Sequence, residues 1–253
     1  MPISSDIHNQ GPSGVIRRGL VFRSGSLARL TPKDRSTIGA LNIRLVCDFR
    51  GPEEQSRDPV AWLPPGAELA DWGESSRGDI TLLRKRVGSD ATVAVAHDAM
   101  LELYRSLPYD HADRYGRALK CLAAGELPAV LACTAGKDRT GTMVALLMAL
   151  LGIPHEAILA DYALSDTYVD YVGHFRERAA AAERAGDENN PYLGLVRRVS
   201  APVLTTLLAS DPDYIAAGLA AVERDFGSVA NFAVGHLGLS ETELQQIRTA
   251  LLE

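Results

Sequence analysis

Short apolar runs alternate with longer stretches in which apolar residues recur every three or four positions, an order that predicts strands set among helices. Leu20-Val-Phe-Arg23 reads as a short strand and Ser24-Gly-Ser26 as the turn after it, following a loose N-terminus that carries Gly11, Pro12 and Gly14. Thr31-Pro32 opens a helix running towards Leu41, with threonine as its cap and proline in its first position. Ile43 to Phe49, β-branched and apolar, is the next strand. From Gly51 to about Ser89 the chain is rich in Pro, Gly, Asp and Glu, which predicts a loop, and residues 51–90 are expected to be a mobile insertion. Ala91 to Ser106 then spaces Val93, Ala96, Met100, Leu101 and Tyr104 helically, and a further helix opens at Asp110 or Asp113 and ends at Gly125. A strand-like run from Leu127 to Ala132 leads to a helix over 140–151, stopped by Gly152 and Pro154. Helices over 154–164 and 166–185, a polar break from Gly186 to Pro191 and a helical last third follow, and Ser240-Glu-Thr-Glu243 is a capping box for the final helix. The order predicts an α/β fold, with a central, mostly parallel sheet flanked by helices and a helical C-terminal layer, in a single domain over 1–253.

Between the strand ending at Ala132 and the helix starting at Thr140 lies Cys133-Thr-Ala-Gly-Lys-Asp-Arg139. A cysteine and an arginine five residues apart, with a flexible glycine between them, can close around one tetrahedral oxyanion. The loop's N–H groups would point inward and the next helix would add its positive end. A thiol held beside Lys137 and Arg139 is expected to ionise and act as a nucleophile. That chemistry requires a sulfur open to solvent. Gly136-Lys137 superficially resembles a nucleotide-binding loop, but Leu131 and Asp138 stand where that motif needs glycine and Ser or Thr.

Composition narrows the remaining classes. A net charge of −6 argues against bulk nucleic-acid binding, yet allows an anionic substrate where cations are concentrated in one cleft. Three cysteines make no disulfide framework, and Cys47 and Cys121 sit in apolar runs as core thiols without the paired spacing that arsenate reduction needs. No apolar stretch reaches signal-peptide or membrane-span length, so a cytoplasmic location is expected. No metal-ligand spacing is present, and no metal or cofactor is expected.

Cys133-x5-Arg139-Thr140-Gly141 resembles the signature of the protein tyrosine phosphatase superfamily, and its Ala-Gly-Lys-Asp-Arg-Thr-Gly version resembles the bacterial tyrosine phosphatase B group. The likeness extends to Phe22-Arg-Ser-Gly-Ser-Leu27, Cys47-Asp-Phe-Arg50 with Glu53 and Glu54, Tyr104, Ala160-Asp-Tyr162, Tyr214, Phe226-Gly-Ser228 and Leu237-Gly-Leu-Ser240. It departs at Ala132, where the family usually has a histidine that tunes the thiol, and in an N-terminal Asn-Phe-Arg-Asp segment not recognisable here.

The resemblance implies a cysteine-phosphatase-like fold with a helical lid, placed over 166–200, where Tyr168, Tyr171, Val172 and Phe175 would shield the thiolate. It also implies a phosphomonoester hydrolase acting through a phosphocysteine on phosphotyrosine, with phosphoserine, phosphothreonine or phosphoinositide as further substrates. Cys133 would attack phosphorus while Arg139 grips two equatorial oxygens. Thr134, Ala135, Gly136 and Lys137 would surround the phosphate, and the Thr140 hydroxyl would bond the departing sulfur. Candidates for the proton donor are Asp138, which is favoured, and Asp71, Glu74 or Asp79 on the insertion. Asp138 has a structural role open to it as well, bonding loop amides or pairing with Arg50. Lys137 is expected at the loop rim as a second charge for polyanionic headgroups, and Arg50, at a strand end, is expected to meet substrate or Asp138. The competing reading is a phosphate-binding module without turnover.

Overall fold

The computed structural model describes residues 3–6, 10–11, 14–70 and 87–253. Its strands, in chain order, are β1 (Ile3–Asp6), β2 (Gln10–Gly11), β3 (Gly14–Val15), β4 (Val21–Ser24), β5 (Leu45–Asp48), β6 (Glu68–Leu69) and β7 (Ala129–Ala132). The main sheet has the order β1-β4-β7-β5-β6, parallel throughout except for β1, which runs antiparallel along β4. β7 is thus central, and its C-terminal end delivers Cys133.

β4, β5 and β7 are buried at every position. Parallel strands covered on both faces read as continuous apolar runs, and alternate residues go to opposite sides. Val130 and Ala132 join Phe22, Leu27, Leu30, Ile38 and Val46 in a small cluster under α1 (Pro32–Gly39). Ala129, Leu131 and Cys133 face the larger core with Leu45, Cys47 and the helices Val93–Asp110, Ala112–Ala123, Asp138–Leu150 and Pro212–Phe226. β3 meets the C-terminus where Val15 and Glu253 exchange backbone hydrogen bonds at 3.0 Å each way.

The expected α/β order is present, with local differences that have physical causes. Thr31 caps α1 in a capping box with Asp34, and Pro32 is its first residue. The stretch read as a loop after Gly51 instead starts a helix, α2 (Pro52–Arg57), and later forms strand β6. Pro52 sits in the first turn and Glu54 reaches back to the Gly51 N–H at 2.9 Å, so the residues taken as loop composition are a helix-start signal. Residues 71–86 of that stretch, with Asp71, Glu74 and Asp79, lie outside the described residues. The N-terminus is not loose throughout, since β1 pairs with β4 and β2 with β3. The helix expected over 166–185 breaks into Ser165–Tyr168 and Tyr171–Arg184, and Asp170 caps the second piece through the Gly173 N–H. The helix after Cys133 begins at Asp138, two residues earlier than expected, which puts Asp138 and Arg139 in its first turn.

Two glycines separate packing from propensity. A Cβ on Gly116 would run into the Leu237 carbonyl oxygen, whereas one on Gly194, within the helix Pro191–Arg198, would meet nothing within 4 Å. Gly116→Ala is expected to destabilise by about 1–3 kcal/mol. Gly194→Ala should stabilise by up to about 1 kcal/mol. Thermal melts of the two variants check the opposite signs.

Candidate active site

The Cys133–Arg139 loop is shaped first by close approach. Gly136 has φ +72° and lies so near the Ser24–Gly25 backbone that a Cβ would sit 2.6 Å from the Ser24 carbonyl carbon. A side chain there is excluded twice, by conformation and by space. Arg23, buried on β4, grips the loop from below: its Nη2 donates to the Gly136 carbonyl at 3.1 Å and to Ser165 Oγ at 2.9 Å, and its Nη1 to Asp161 Oδ2 at 3.2 Å. The Ser26 N–H adds a bond to the Thr134 carbonyl at 3.3 Å. Within the loop, the Gly136 N–H points inward to Cys133 Sγ at 3.2 Å. The amide geometry expected at the nucleophile is present at this position.

Access is not as expected. Cys133 is only 1% exposed, so its sulfur is closed off from solvent in this arrangement. Ala132 beside it lies in the small apolar cluster, paired in register with Ser24, whose buried hydroxyl has no hydrogen-bond partner among the described residues.

Arg139 meets a carboxylate. Its Nη1 donates to Glu54 Oε2 at 2.5 Å and to the Phe49 carbonyl at 3.3 Å, and its Nη2 to Glu54 Oε1 at 2.9 Å and Thr134 Oγ1 at 3.2 Å. Thr134 also donates to Glu54 Oε1. Glu54 therefore takes the end of the guanidinium and Thr134 Oγ1 the second bond of Nη2, so only Nε makes no hydrogen bond among the described residues, and a phosphate taking the Nε–Nη2 edge would displace Thr134. Burial works to raise the Glu54 pKa, but the hydrogen bonds and charge of Arg139 outweigh it and hold it at about 2. Glu54 was visible in the sequence only as part of a family likeness. The signal that could have found its role is its place three residues after Gly51 as the acid of a helix start.

Asp138 accepts a hydrogen bond from the Tyr104 hydroxyl at 2.6 Å and pairs with Lys137 Nζ at 3.3 Å, both through Oδ1. Its side chain is 33% exposed. Lys137 is not at the rim. It is 2% exposed, and its ammonium donates to the carbonyls of Leu207 (3.3 Å) and Ala209 (3.0 Å), tying the loop to the C-terminal helices. The four methylenes of lysine let the charge reach past the loop to backbone acceptors, which spacing alone does not show. Arg50 is also buried, bound through Nε and Nη2 to Asp48 and through Nη1 to the Asp58 carbonyl, so it does not pair with Asp138. The Thr140 hydroxyl is buried without a hydrogen-bond partner among the described residues, so the bond expected to the sulfur is not formed here. Behind the loop, Tyr115 donates to the Arg139 carbonyl at 2.7 Å, and burial, then the charges of Arg139 and Arg114, lower the pKa of the adjacent His111 to about 3.

A cleft of about 510 Å³ reaches the loop at Thr134 and Ala135. One wall holds Arg29, Arg50, Glu54 and Arg57, and the other holds Tyr171, Phe175, Arg178 and Tyr192 from the helices Tyr171–Arg184 and Pro191–Arg198. Cys133, Asp138 and Arg139 do not line it. Of the other thiols, Cys47 is fully buried, while Cys121 is half-buried and pushed by burial to about 11. No helix among the described residues is long and apolar enough to cross a membrane.

Residues 7–253 match the family model described as the tyrosine phosphatase family. The chain is 30% identical to a protein of Cupriavidus necator that carries a tyrosine-protein phosphatase name, over 92% of this chain and 78% of that one. It is 26% identical to the triple specificity protein phosphatase PtpB of Mycobacterium tuberculosis, over 94% and 92% respectively. A tyrosine-protein phosphatase of Nostoc commune is also 26% identical, over 99% of this chain and 85% of its own.

The Glu54–Arg139 pair has a pH signature. Glu54 titrates at about 2 in the folded protein against an ordinary value of 4.5, so between these values the folded chain binds fewer protons than the unfolded one. Its contribution to stability is complete above roughly pH 5 and is lost as pH falls towards about 2. Glu54→Gln should therefore melt lower than the parent at about pH 6, with the gap narrowing by about pH 3. Melts across that range check it; a gap that widens on acidification would contradict the pairing.

Proposed function

The chain belongs to the tyrosine phosphatase family and is a phosphoric monoester hydrolase, and from that premise we propose that it works through a phosphocysteine formed on Cys133. The observation that carries this reading is the Gly136 N–H aimed at Cys133 Sγ in a loop that also brings in the anchored guanidinium of Arg139. The sulfur attacks phosphorus in line, an S–P bond forms, and the ester P–O bond breaks. Loop amides and the Arg139 guanidinium, through Nε and the Nη2 proton that Thr134 gives up, take the equatorial oxygens, where negative charge accumulates. Water then attacks the phosphocysteine, releasing phosphate and restoring the sulfur.

The leaving oxygen needs a proton, and Asp138 is the donor in this reading. Glu54, held at about 2 and engaged by Arg139, is unsuited to carry a proton near neutral pH, and Asp48 is buried against Arg50. Asp138 stands in the loop's own first helical turn with its side chain one-third exposed.

For substrate to reach Cys133, the helices over 171–198 must move. They form a lid in this reading, supported by the small apolar cluster of Ala179, Ala182 and Leu193 that they share separately from the main core. The aromatic wall of Tyr171, Phe175 and Tyr192 favours the ring of a phosphotyrosine. The cleft arginines Arg29, Arg57 and Arg178 keep phosphoserine, phosphothreonine and phosphoinositides in the substrate range, as the triple specificity name of the mycobacterial relative also suggests. Lys137 does not contribute to that range, because its charge is spent inside the protein.

Turnover of p-nitrophenyl phosphate, which hardly needs a proton donor, tests the reading directly. Cys133→Ser is expected to abolish release while leaving vanadate binding, and Arg139→Lys to lower kcat/KM at least about a hundredfold. Oxyanion binding by the parent protein without any turnover would identify a phosphate-binding module instead.

A further inference from the structure

Asp138 is held by a chain of buried hydroxyls. Tyr104, from the helix Val93–Asp110, is 0% exposed and donates to Asp138 Oδ1 at 2.6 Å. The hydroxyl of Tyr162, from the helix His155–Ala163 and 2% exposed, lies 2.5 Å from that of Tyr104. A phenol has one proton to give. Tyr104 gives its proton to the carboxylate, so the bond between the two phenols must run from Tyr162 to Tyr104. The order Tyr162, Tyr104, Asp138 is therefore fixed, with each donation polarising the next.

The chain also distinguishes the two carboxyl oxygens. Both ties on the side chain, from Tyr104 and from Lys137 Nζ, fall on Oδ1. When the carboxyl is protonated, Oδ1 is the carbonyl oxygen that goes on accepting from Tyr104 and facing the Lys137 ammonium, and the proton belongs on Oδ2. We propose that Tyr104 and Tyr162 are positioning residues that hold Asp138 with Oδ2 as the proton-delivering oxygen. This rests on the reading of Asp138 as the donor and assigns the machinery that orients it.

The surroundings suit that role. Burial, then the negative charge of Asp138, pushes the Tyr104 phenol well above its ordinary pKa, so it stays a donor across the working range. Burial likewise raises Tyr162. The Tyr104 ring is wedged between Tyr162 (centroids 5.9 Å) and Tyr214 (5.5 Å), so it cannot swing without displacing both. Neither tyrosine lines the cleft, so neither acts by touching substrate.

The test is the dependence of kcat/KM on the leaving group, which reports the step in which the ester bond breaks. Tyr104→Phe keeps the ring and removes the donor. It is expected to lower kcat/KM for phenyl phosphate about tenfold or more, since proton donation contributes on the order of a hundredfold or more. For p-nitrophenyl phosphate the fall should stay under about threefold, and vanadate affinity should not change. Tyr162→Phe should act in the same sense more weakly, and Tyr104→Phe added to Asp138→Asn should have no further effect. A disturbed loop would instead weaken both substrates and vanadate together, which would overturn the proposal, as would equal kcat/KM of Tyr104→Phe and parent on phenyl phosphate. If Asp138→Asn itself left phenyl phosphate turnover intact there would be nothing to position, and the proposal falls with the donor assignment. Continued p-nitrophenyl phosphate turnover in each of these cases separates its failure from failure of the phosphocysteine reading.

Discussion

Positive charge packed beneath a loop has to be matched, carboxylate by carboxylate, or the loop cannot be buried. Arg23, Arg50 and Lys137 are each 2–3% exposed, and the Arg139 side chain is 16% exposed. They face Asp161, Asp48, Asp138 and Glu54 respectively. A buried pair repays its desolvation only with good geometry and further hydrogen bonds, and removing one partner costs about 3–5 kcal/mol because the other charge stays behind. The additional bonds are present: Arg23 to Gly136 and Ser165, Arg50 to Asp58, Lys137 to Leu207 and Ala209, and Arg139 to Phe49 and Thr134.

This matching decides what is left for a substrate. The sequence-level idea was that Lys137 and Arg139 together would supply a basic cleft in an acidic protein. In the structure the ammonium of Lys137 is satisfied by backbone carbonyls, and the end of the Arg139 fork is satisfied by Glu54. What remains is directional rather than a surplus of charge: the inward Gly136 N–H, the Nε of one guanidinium and a helix start. In the proposed reading such a site would select a tetrahedral anion by shape, in a chain whose net charge is −6.

The parts of this design that were legible in the sequence are those set by local rules. Short apolar runs place β4, β5 and β7, capping chemistry places α1 and the final helix, and the five-residue spacing places Cys133 and Arg139 in one loop. The parts that were not legible depend on where long side chains end. Glu54 is 85 residues from Arg139, and Tyr104 is 34 from Asp138, separations over which no pattern predicts contact. Lys137 is expected at the loop rim and Arg50 at a strand end meeting substrate or Asp138, and spacing shows for neither that Leu207, Ala209 and Asp48 lie within reach to bury them. α2 is not legible from composition, because its Pro52 and Glu54 signal a helix only by their positions at its start.

The same long reaches join the loop to two layers of the protein. Through Arg23, Glu54 and Thr134 it is tied to β4 and α2; through Lys137 and Asp138 it is tied to the helical layer that carries Tyr104, Tyr162 and the 207–209 carbonyls. Cys133 stands at the seam. A deformation of either layer reaches Cys133 by a short path of hydrogen bonds, because the interior between them is close-packed and does not absorb small shifts. The Tyr171 ring lies 5.8 Å from Lys137 Nζ, so the helix that walls the cleft touches the very residue that anchors the loop to the helical layer. In the proposed lid reading, movement of that helix would change the surroundings of the loop as well as the way in to it, coupling access to the sulfur and the order of the loop through one lysine.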